Sequence, residues 1–326
     1  MKGNQSPLSD HYDGKRFHNR QSPPHNLWKV LKWMAKRRSK PVHTKRTVSP
    51  LVEIDARPPP HEMWVTFINH STFLIQWAGL NILTDPLFSK RASPFRWIGP
   101  KRSHPPGIAF HNLPPIDLVL ISHNHYDHMD LPTLKALAKS CHPLMVTGLG
   151  NAHPLQAQGI KKPIELDWWD ETTVSADFSV TYVPAEHFSA RWLHDRNRAL
   201  WGGFVLKSLK ENKTLYFAGD SGYGPHFSQI KAKLGAPALS LLPIGAYEPR
   251  WIMSPVHMSP EDAVLAHEDL DSAMTIGMHF GTFRMADEGL DDPEKDLHSA
   301  LQKRAATVKH PFITLKPGQR MRINLE

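Results

Sequence analysis

With 326 residues, 40% hydrophobic content and a mean hydropathy of −0.42, the chain has material for a real core and reads as a water-soluble protein of one large domain or two small ones. Its single cysteine, Cys141, excludes an intramolecular disulfide and fits a reducing compartment, so a metal site would have to use His and Asp, which suit zinc or another borderline-to-hard divalent ion. The formal charge is +8, but residues 1–50 carry twelve Lys and Arg against two Asp, which leaves the remainder at −2 and disfavours a nucleic-acid-binding face spread over the whole molecule.

Residues 1–26 are polar, with Pro23-Pro24 and few large apolar groups, and read as disordered. They hold no apolar run of the length a secretory leader needs. No stretch of the chain approaches the roughly 20 apolar residues of a membrane-spanning helix. Residues 27–40 differ. Asn26 can cap a helix in which Leu27, Val30, Leu31 and Met34 share one face, flanked by Trp28 and Trp33, with Lys29, Lys32, Lys36 and Arg37 mostly elsewhere. Such a helix suits the boundary of an anionic bilayer; a helix packed on the domain, or a basic tail, is the plainer alternative. The prolines of residues 41–60 read as an extended linker, which gives a basic, largely disordered arm over 1–60 and a folded domain over 61–326.

The domain is expected to start with strands at Trp64–Ile68, Ser71–Trp77 and Leu80–Thr84, rich in β-branched and aromatic residues. Phe88–Pro115, rich in Pro, Arg, Ser and His, reads as a long loop that shapes access to a site. The unbroken apolar run Asp117–Ile121 reads as a buried strand. Pro132 suits a first helical turn. Further strands are expected at Leu144–Thr147, Phe178–Val183, Leu200–Leu209 (broken by Gly202-Gly203), Thr214–Ala218, Ala238–Ile244, Met274–Met278, Phe312–Leu315 and Arg320–Leu325. Ser259 and Asp262 form a capping pattern that opens a helix through Leu270.

The chemistry concentrates in Ser122-His123-Asn124-His125-Tyr126-Asp127-His128. Three imidazoles and a carboxylate within six residues are a strong metal signal. Alternate residues of an extended segment project alike, so His123 and His125 can share one ion, and a turn can aim Asp127 and His128 at a second. His187, Asp220 and His279 each follow an apolar strand, where ligands collect in layered α/β proteins. His187 can complete the first site, His279 the second, and Asp220 can bridge. Two ions roughly 3.5–4 Å apart hold a hydroxide between them and clamp phosphate oxygens, so phosphodiester hydrolysis suits the set.

Ser122–Asp130 resembles the signature of the metallo-β-lactamase superfamily. Further blocks resemble one branch of it, the N-acylphosphatidylethanolamine-hydrolysing phospholipases D: Asn69–Leu74, Leu83–Ser89, Val183–His187, Phe217–Tyr223, Pro243–Trp251 and His279–Phe283. The resemblance runs from about His61 to Asp292 and leaves out the arm. It implies a four-layer αββα sandwich with two zinc ions, one held by His123, His125 and His187, the other by Asp127, His128 and His279, with Asp220 shared. It also implies cleavage of N-acylphosphatidylethanolamine into phosphatidic acid and an N-acylethanolamine. Asp127, Asp220 and His257 are the catalytic candidates, His257 because it matches a histidine near the family's substrate. The residue before it is Val256, where relatives can carry a polar side chain.

Substrate contacts are expected from Tyr126, Tyr247, Arg250 and His257. Packing is the alternative for Tyr126, and an internal salt bridge the alternative for Arg250. His70, His104, His142, His153, His226 and His267 are read as surface residues or as supports behind the ligands, and Asp85 as orienting a ligating imidazole. Trp168-Trp169 reads as core. The expected partners are a phospholipid and a membrane surface reached through the basic arm, with no nucleic acid and with a homodimer left open. The expected location is the cytoplasm, peripheral to a membrane. The rival reading is a soluble lactonase or phosphoesterase for a small polar substrate; an open apolar groove separates the two.

Overall fold

The computed structural model describes residues 9–20, 33, 48, 54–192 and 194–325. The expected helix over 27–40 therefore lies outside the described residues, apart from Trp33.

Two seven-stranded mixed sheets face each other. The first contains β1 (Met63–Asn69), β2 (Thr72–Trp77), β3 (Leu80–Thr84), β4 (Leu118–Ile121), β5 (Leu144–Gly148), β6 (Ile164–Leu166) and, at its far edge beside β1, β14 (Arg320–Ile323). The second runs from β7 (Glu171–Ser175) through β8 (Phe178–Val183), β9 (Gly203–Ser208), β10 (Lys213–Phe217), β11 (Leu239–Pro243) and β12 (Thr275–Met278) to β13 (Phe312–Ile313). Each sheet is antiparallel in one half and parallel in the other: β3 to β6 are parallel in the first, β10 to β13 in the second.

Among the described residues, six α-helices of four residues or more accompany them: α1 (Leu131–Ser140), α2 (Ala152–Gln156), α3 (His226–Leu234), α4 (Arg250–Met253), α5 (Pro260–Leu270) and α6 (Asp292–Lys303). The central core lies between the sheets, with Phe67, Trp77 and Leu120 from one and Phe178, Tyr182 and Phe217 from the other. A second cluster lies outside the first sheet, where Val119, Ile121 and Met145 meet Leu134 and Leu137 of α1. This explains the unbroken apolar run of β4. Successive side chains point to opposite faces, and both faces are covered: Leu118 and Leu120 face the central core, Val119 and Ile121 the outer one. The result is an αββα sandwich.

The expected strands are all present, with ends moved by a few residues; β9, for example, starts at Gly203, the second of the two glycines. The 89–109 stretch contains no strand, only an isolated Arg91–Lys101 bridge. The capping box at Ser259 and Asp262 is present and opens α5. Trp168 is buried in the central core. β6, β7, α2, α3, α4 and α6 were not anticipated.

One expectation is corrected. Residues 9–20, read as part of a disordered arm, are folded onto the domain. Asp13 accepts hydrogen bonds from the backbone N–H groups of Lys15 and Arg16, which closes a small hairpin bridged between Tyr12 and Phe17. Phe17 is buried in the central core, and His11 stacks on Trp168 at 4.3 Å. A few aromatic anchors order this segment despite its polar composition.

Candidate metal centre

The sheets deliver their functional side chains at strand ends. His123 follows β4, His187 follows β8, Asp220 follows β10 and His279 follows β12. Close backbone approach makes this convergence possible. Gly219, just before Asp220, has φ +62°, and a Cβ there would lie 2.7 Å from the Ser122 Cβ. At Gly245 a Cβ would come within 2.1 Å of the His279 carbonyl oxygen. His279 itself holds the left-handed φ of 60°, a conformation that costs energy for a side-chain-bearing residue and often occurs at functional sites.

The structure brings all seven proposed ligands together. In one group, His125 Nδ1 lies 2.8 Å from His123 Nε2 and 3.2 Å from His187 Nε2. In the other, His128 Nε2 is 3.5 Å from Asp127 Oδ2 and 3.2 Å from Asp220 Oδ2, while His279 Nε2 is 3.4 Å and 3.1 Å from the same two oxygens. Asp220 Oδ2 is also 3.8 Å from His187 Nε2, so one carboxylate oxygen faces both groups. Donors about 2.0–2.1 Å from a tetrahedral ion are separated by about 3.3 Å, and the second group matches that spacing.

In three of the imidazoles, those of His123, His128 and His187, the outward ring nitrogen is tied down so that the other faces inward. His128 Nδ1 donates to Asp85 Oδ2 at 2.6 Å. The Ser122 hydroxyl donates to Asp85, which leaves its oxygen to accept from His123 Nδ1 at 2.9 Å. His187 Nδ1 donates to the Val256 carbonyl at 2.8 Å. Each of these imidazoles therefore presents Nε2 as a lone pair, as metal ligation requires. His128 Nε2, His279 Nε2 and Asp220 Oδ1 are buried and make no hydrogen bond among the described residues. Buried polar atoms are seldom left so, and an ion between them satisfies them. The residues fit a divalent metal.

The electrostatics agree. Burial drives His123 and His187 well below the usual imidazole range and His125 to about 4, so these three are neutral and able to ligate. Burial also opposes charge on His128 and His279, but the neighbouring carboxylates outweigh it, Asp220 foremost. His128 is held well above the usual range and His279 at about 9. Burial likewise opposes charge on Asp127 and Asp220, yet the adjacent imidazoles keep both well below the carboxylate range. A bound cation takes over the role of those imidazolium charges.

A cavity of about 360 Å³ opens over Asp127, Asp220, His125 and His279. His257 lines it, with its Nδ1 3.9 Å from Asp220 Oδ2 and pushed by burial to about 3. Tyr126 lines it too, held by donation from its hydroxyl to the Arg191 carbonyl at 2.9 Å and by the Arg191 guanidinium 4.1 Å from its ring. Tyr247 and Arg250 are not among its lining residues. The Tyr247 hydroxyl donates to Asp296, and Arg250 pairs with Asp262 and donates to the His257 carbonyl at 3.1 Å. The expected phosphate contact of Arg250 thus gives way to its alternative, an internal ion pair.

Of the two roles the sequence left open for His70, surface or support, the structure gives it the second, and sequence reasoning missed several residues of the cavity wall. His70 is buried beside the second group, with Nε2 3.1 Å from Asp127 Oδ2 and its ring 4.1 Å from that of His279. It also follows a strand, as His123, His187 and His279 do. Phe188, Ile252, Met253 and Met285 form apolar walls, and Trp33 reaches the same cavity, its Nε1 donating to Asp287 Oδ2 at 3.0 Å.

Comparisons with known proteins agree with the fold. The Beta-lactamase superfamily domain matches residues 80–280. The chain belongs to that superfamily. Its relatives include an uncharacterised protein of Mycobacterium tuberculosis, 40% identical over 262 residues that cover 79% of this chain and 68% of the relative. They also include the N-acyl-phosphatidylethanolamine-hydrolyzing phospholipase D 1 of Caenorhabditis elegans, 32% identical over 268 residues, 79% of this chain and 75% of the worm protein. This places the chain in the phospholipase's family. Among solved structures, the metallo hydrolase Igni18 of Ignicoccus hospitalis superposes with a TM-score of 0.62 at 20% identity, covering 81% of this chain and all of that one. That likeness supports the fold. The protein is a metal-dependent hydrolase of the β-lactamase fold, with a His and Asp cluster able to hold metal.

Proposed function

We propose that the protein is a two-zinc phosphodiesterase of the phospholipase D type that cleaves N-acylphosphatidylethanolamine into phosphatidic acid and an N-acylethanolamine. The observation that carries this reading is the cavity. Its floor is the ligand cluster, while its walls include Phe188, Ile252, Met253, Val256 and Met285. Apolar walls around a polar floor suit a phosphodiester that carries acyl chains, and give a small polar substrate little to bind. When bound, the ions supply Lewis acidity and an activated water at neutral pH.

The chain's own residues hold and orient. Asp220 faces both ligand groups, and Asp85, Ser122 and the Val256 carbonyl fix the ring tautomers. His257 offers a neutral imidazole to the floor of the cavity, where it can hydrogen-bond and position the phosphate. Val256 is among the residues that line the cavity, where it adds to the apolar wall.

The same cavity fits a membrane-facing enzyme. Large apolar residues are exposed on three segments that also line it: Phe95, Trp97 and Ile98 lie between the lining residues Ala92 and Pro100, Trp192 follows Phe188, and Trp251 precedes Ile252. Lys90, Arg91 and Arg96 accompany the first segment. Tryptophans with basic residues beside a lipid-sized opening suit the headgroup region of an anionic bilayer. No helix of the described residues is long and apolar enough to cross a membrane.

The test is turnover by zinc-loaded protein on N-acylated phosphatidylethanolamine, a lactone and a small phosphodiester. Selective release of phosphatidic acid is expected, and Asp220→Asn should abolish it while leaving the fold intact. Preferential turnover of the lactone, or full activity in the variant, would sink the reading.

A further inference from the structure

We infer that Asn19 is a positioning residue for the metal ligand His187, so that the N-terminal segment 9–20 completes the first metal group from outside residues 80–280. The inference rests on His187 being a ligand. His187 follows β8, where the chain has left the sheet and its backbone N–H has no strand partner. That N–H donates to Asn19 Oδ1 at 3.1 Å, and the same oxygen accepts from Trp201 Nε1 at 3.0 Å. Both partners are donors, so they fix which end of the Asn19 amide faces them. His187 is buried, and without Asn19 no other acceptor for its N–H is present among the described contacts. The ring is held separately, by donation from Nδ1 to the Val256 carbonyl. Backbone and ring are therefore fixed from two directions, one of them the N-terminal segment.

Asn19 is itself well anchored. Two residues earlier, Phe17 is 3% exposed in the central core, and its backbone N–H donates to the Asn197 carbonyl at 2.8 Å. Arg20 pairs with Asp10 at 2.7 Å, and His11 bonds Asp167 at 2.7 Å. The segment is stapled on both sides of Asn19, so the amide arrives with little freedom left to lose. A side chain that fixes a metal ligand from behind typically controls metal affinity by about 10–100-fold.

The experiment uses the full chain and zinc competition against a chromophoric chelator, with the thermal midpoint of the metal-stripped chain measured alongside. Asn19→Leu keeps the size and removes the acceptor, and is expected to weaken the tighter or weaker of the two zinc steps by about 10–100-fold while the other step stays within about threefold. Asn19→Asp keeps an oxygen for both donors and is expected to recover wild-type affinity. Phe17→Ala, which loosens the segment without touching His187, should shift the same zinc step in the same direction. If Asn19→Leu lowers the thermal midpoint but leaves both zinc steps unchanged, Asn19 is only a clasp and the inference fails. Failure of Asn19→Asp to rescue overturns it as well. A wild-type chain that binds no zinc overturns the metal assignment along with it.

Discussion

The His and Asp residues of this site act as a set because His123, His128 and His187 each have an acceptor for the ring nitrogen that faces away from the centre. Asp85 does most of this, receiving His128 Nδ1, the Ser122 hydroxyl and the Ser122 backbone N–H at 2.7 Å. Replacing Asp85 with Ala leaves the His128 ring free to turn and unties Ser122 from His123. Zinc affinity is expected to fall by about 10–100-fold, read by chelator competition; unchanged affinity would show that the ligands hold their places unaided. The same logic locates what a sequence reading can and cannot see at this scale. His123, His125, Asp127 and His128 were legible from spacing, and His187, Asp220 and His279 from their positions after strands. His70 was set among surface and supporting histidines, and only its contact with Asp127 decides for the second. Arg250 and Tyr247 were placed at the substrate, although their partners are Asp262 and Asp296. A lone imidazole, guanidinium or phenol takes its role from neighbours far away in the chain, and spacing carries no information about them.

Elements with strong periodicity formed where expected. β4 is an unbroken apolar run because it is covered on both faces, and α5 starts at its capping box. Elements with a weak apolar signal were missed: β7 is a largely exposed edge strand, and α6 buries only Pro293, Leu297 and Ala300. α5 also links stability to the site. Asp262 accepts from the Ser259 N–H at 2.9 Å as part of the capping box and pairs with Arg250, which in turn holds the His257 carbonyl. Asp262→Ala is expected to cost about 1 kcal/mol, or roughly 2–4 °C in thermal midpoint. It should also lower turnover, because the His257 segment loses its anchor. A calorimetric scan together with a steady-state assay checks both; a lower midpoint with unaltered kinetics would separate the cap from the site.

At the scale of the molecule, the cavity and its exposed aromatic rim predict how the protein meets its substrate. Trp97→Ser combined with Trp251→Ser is expected to reduce sedimentation with anionic phospholipid vesicles several-fold while sparing activity on detergent-dispersed substrate, since neither residue lines the cavity. Added salt should weaken wild-type binding to the vesicles, because the basic residues of this face act through a screened attraction. Vesicle binding that survives both changes would move the membrane contact elsewhere, the basic stretch 27–40 being the next candidate.

By itself, the sequence determined the fold class and the metal-dependent hydrolytic chemistry and singled out seven candidate ligands, because these depend on local patterns: apolar runs that must pair as strands, and metal-binding side chains placed at their ends. Only the tertiary structure decided that the ring nitrogens face one centre, that apolar walls rise around it, that Arg250 is consumed internally, and that residues 9–20 reach back to His187. Each of those is a contact between parts distant in the chain, set by how two sheets pack, and packing is not written in any single stretch of residues.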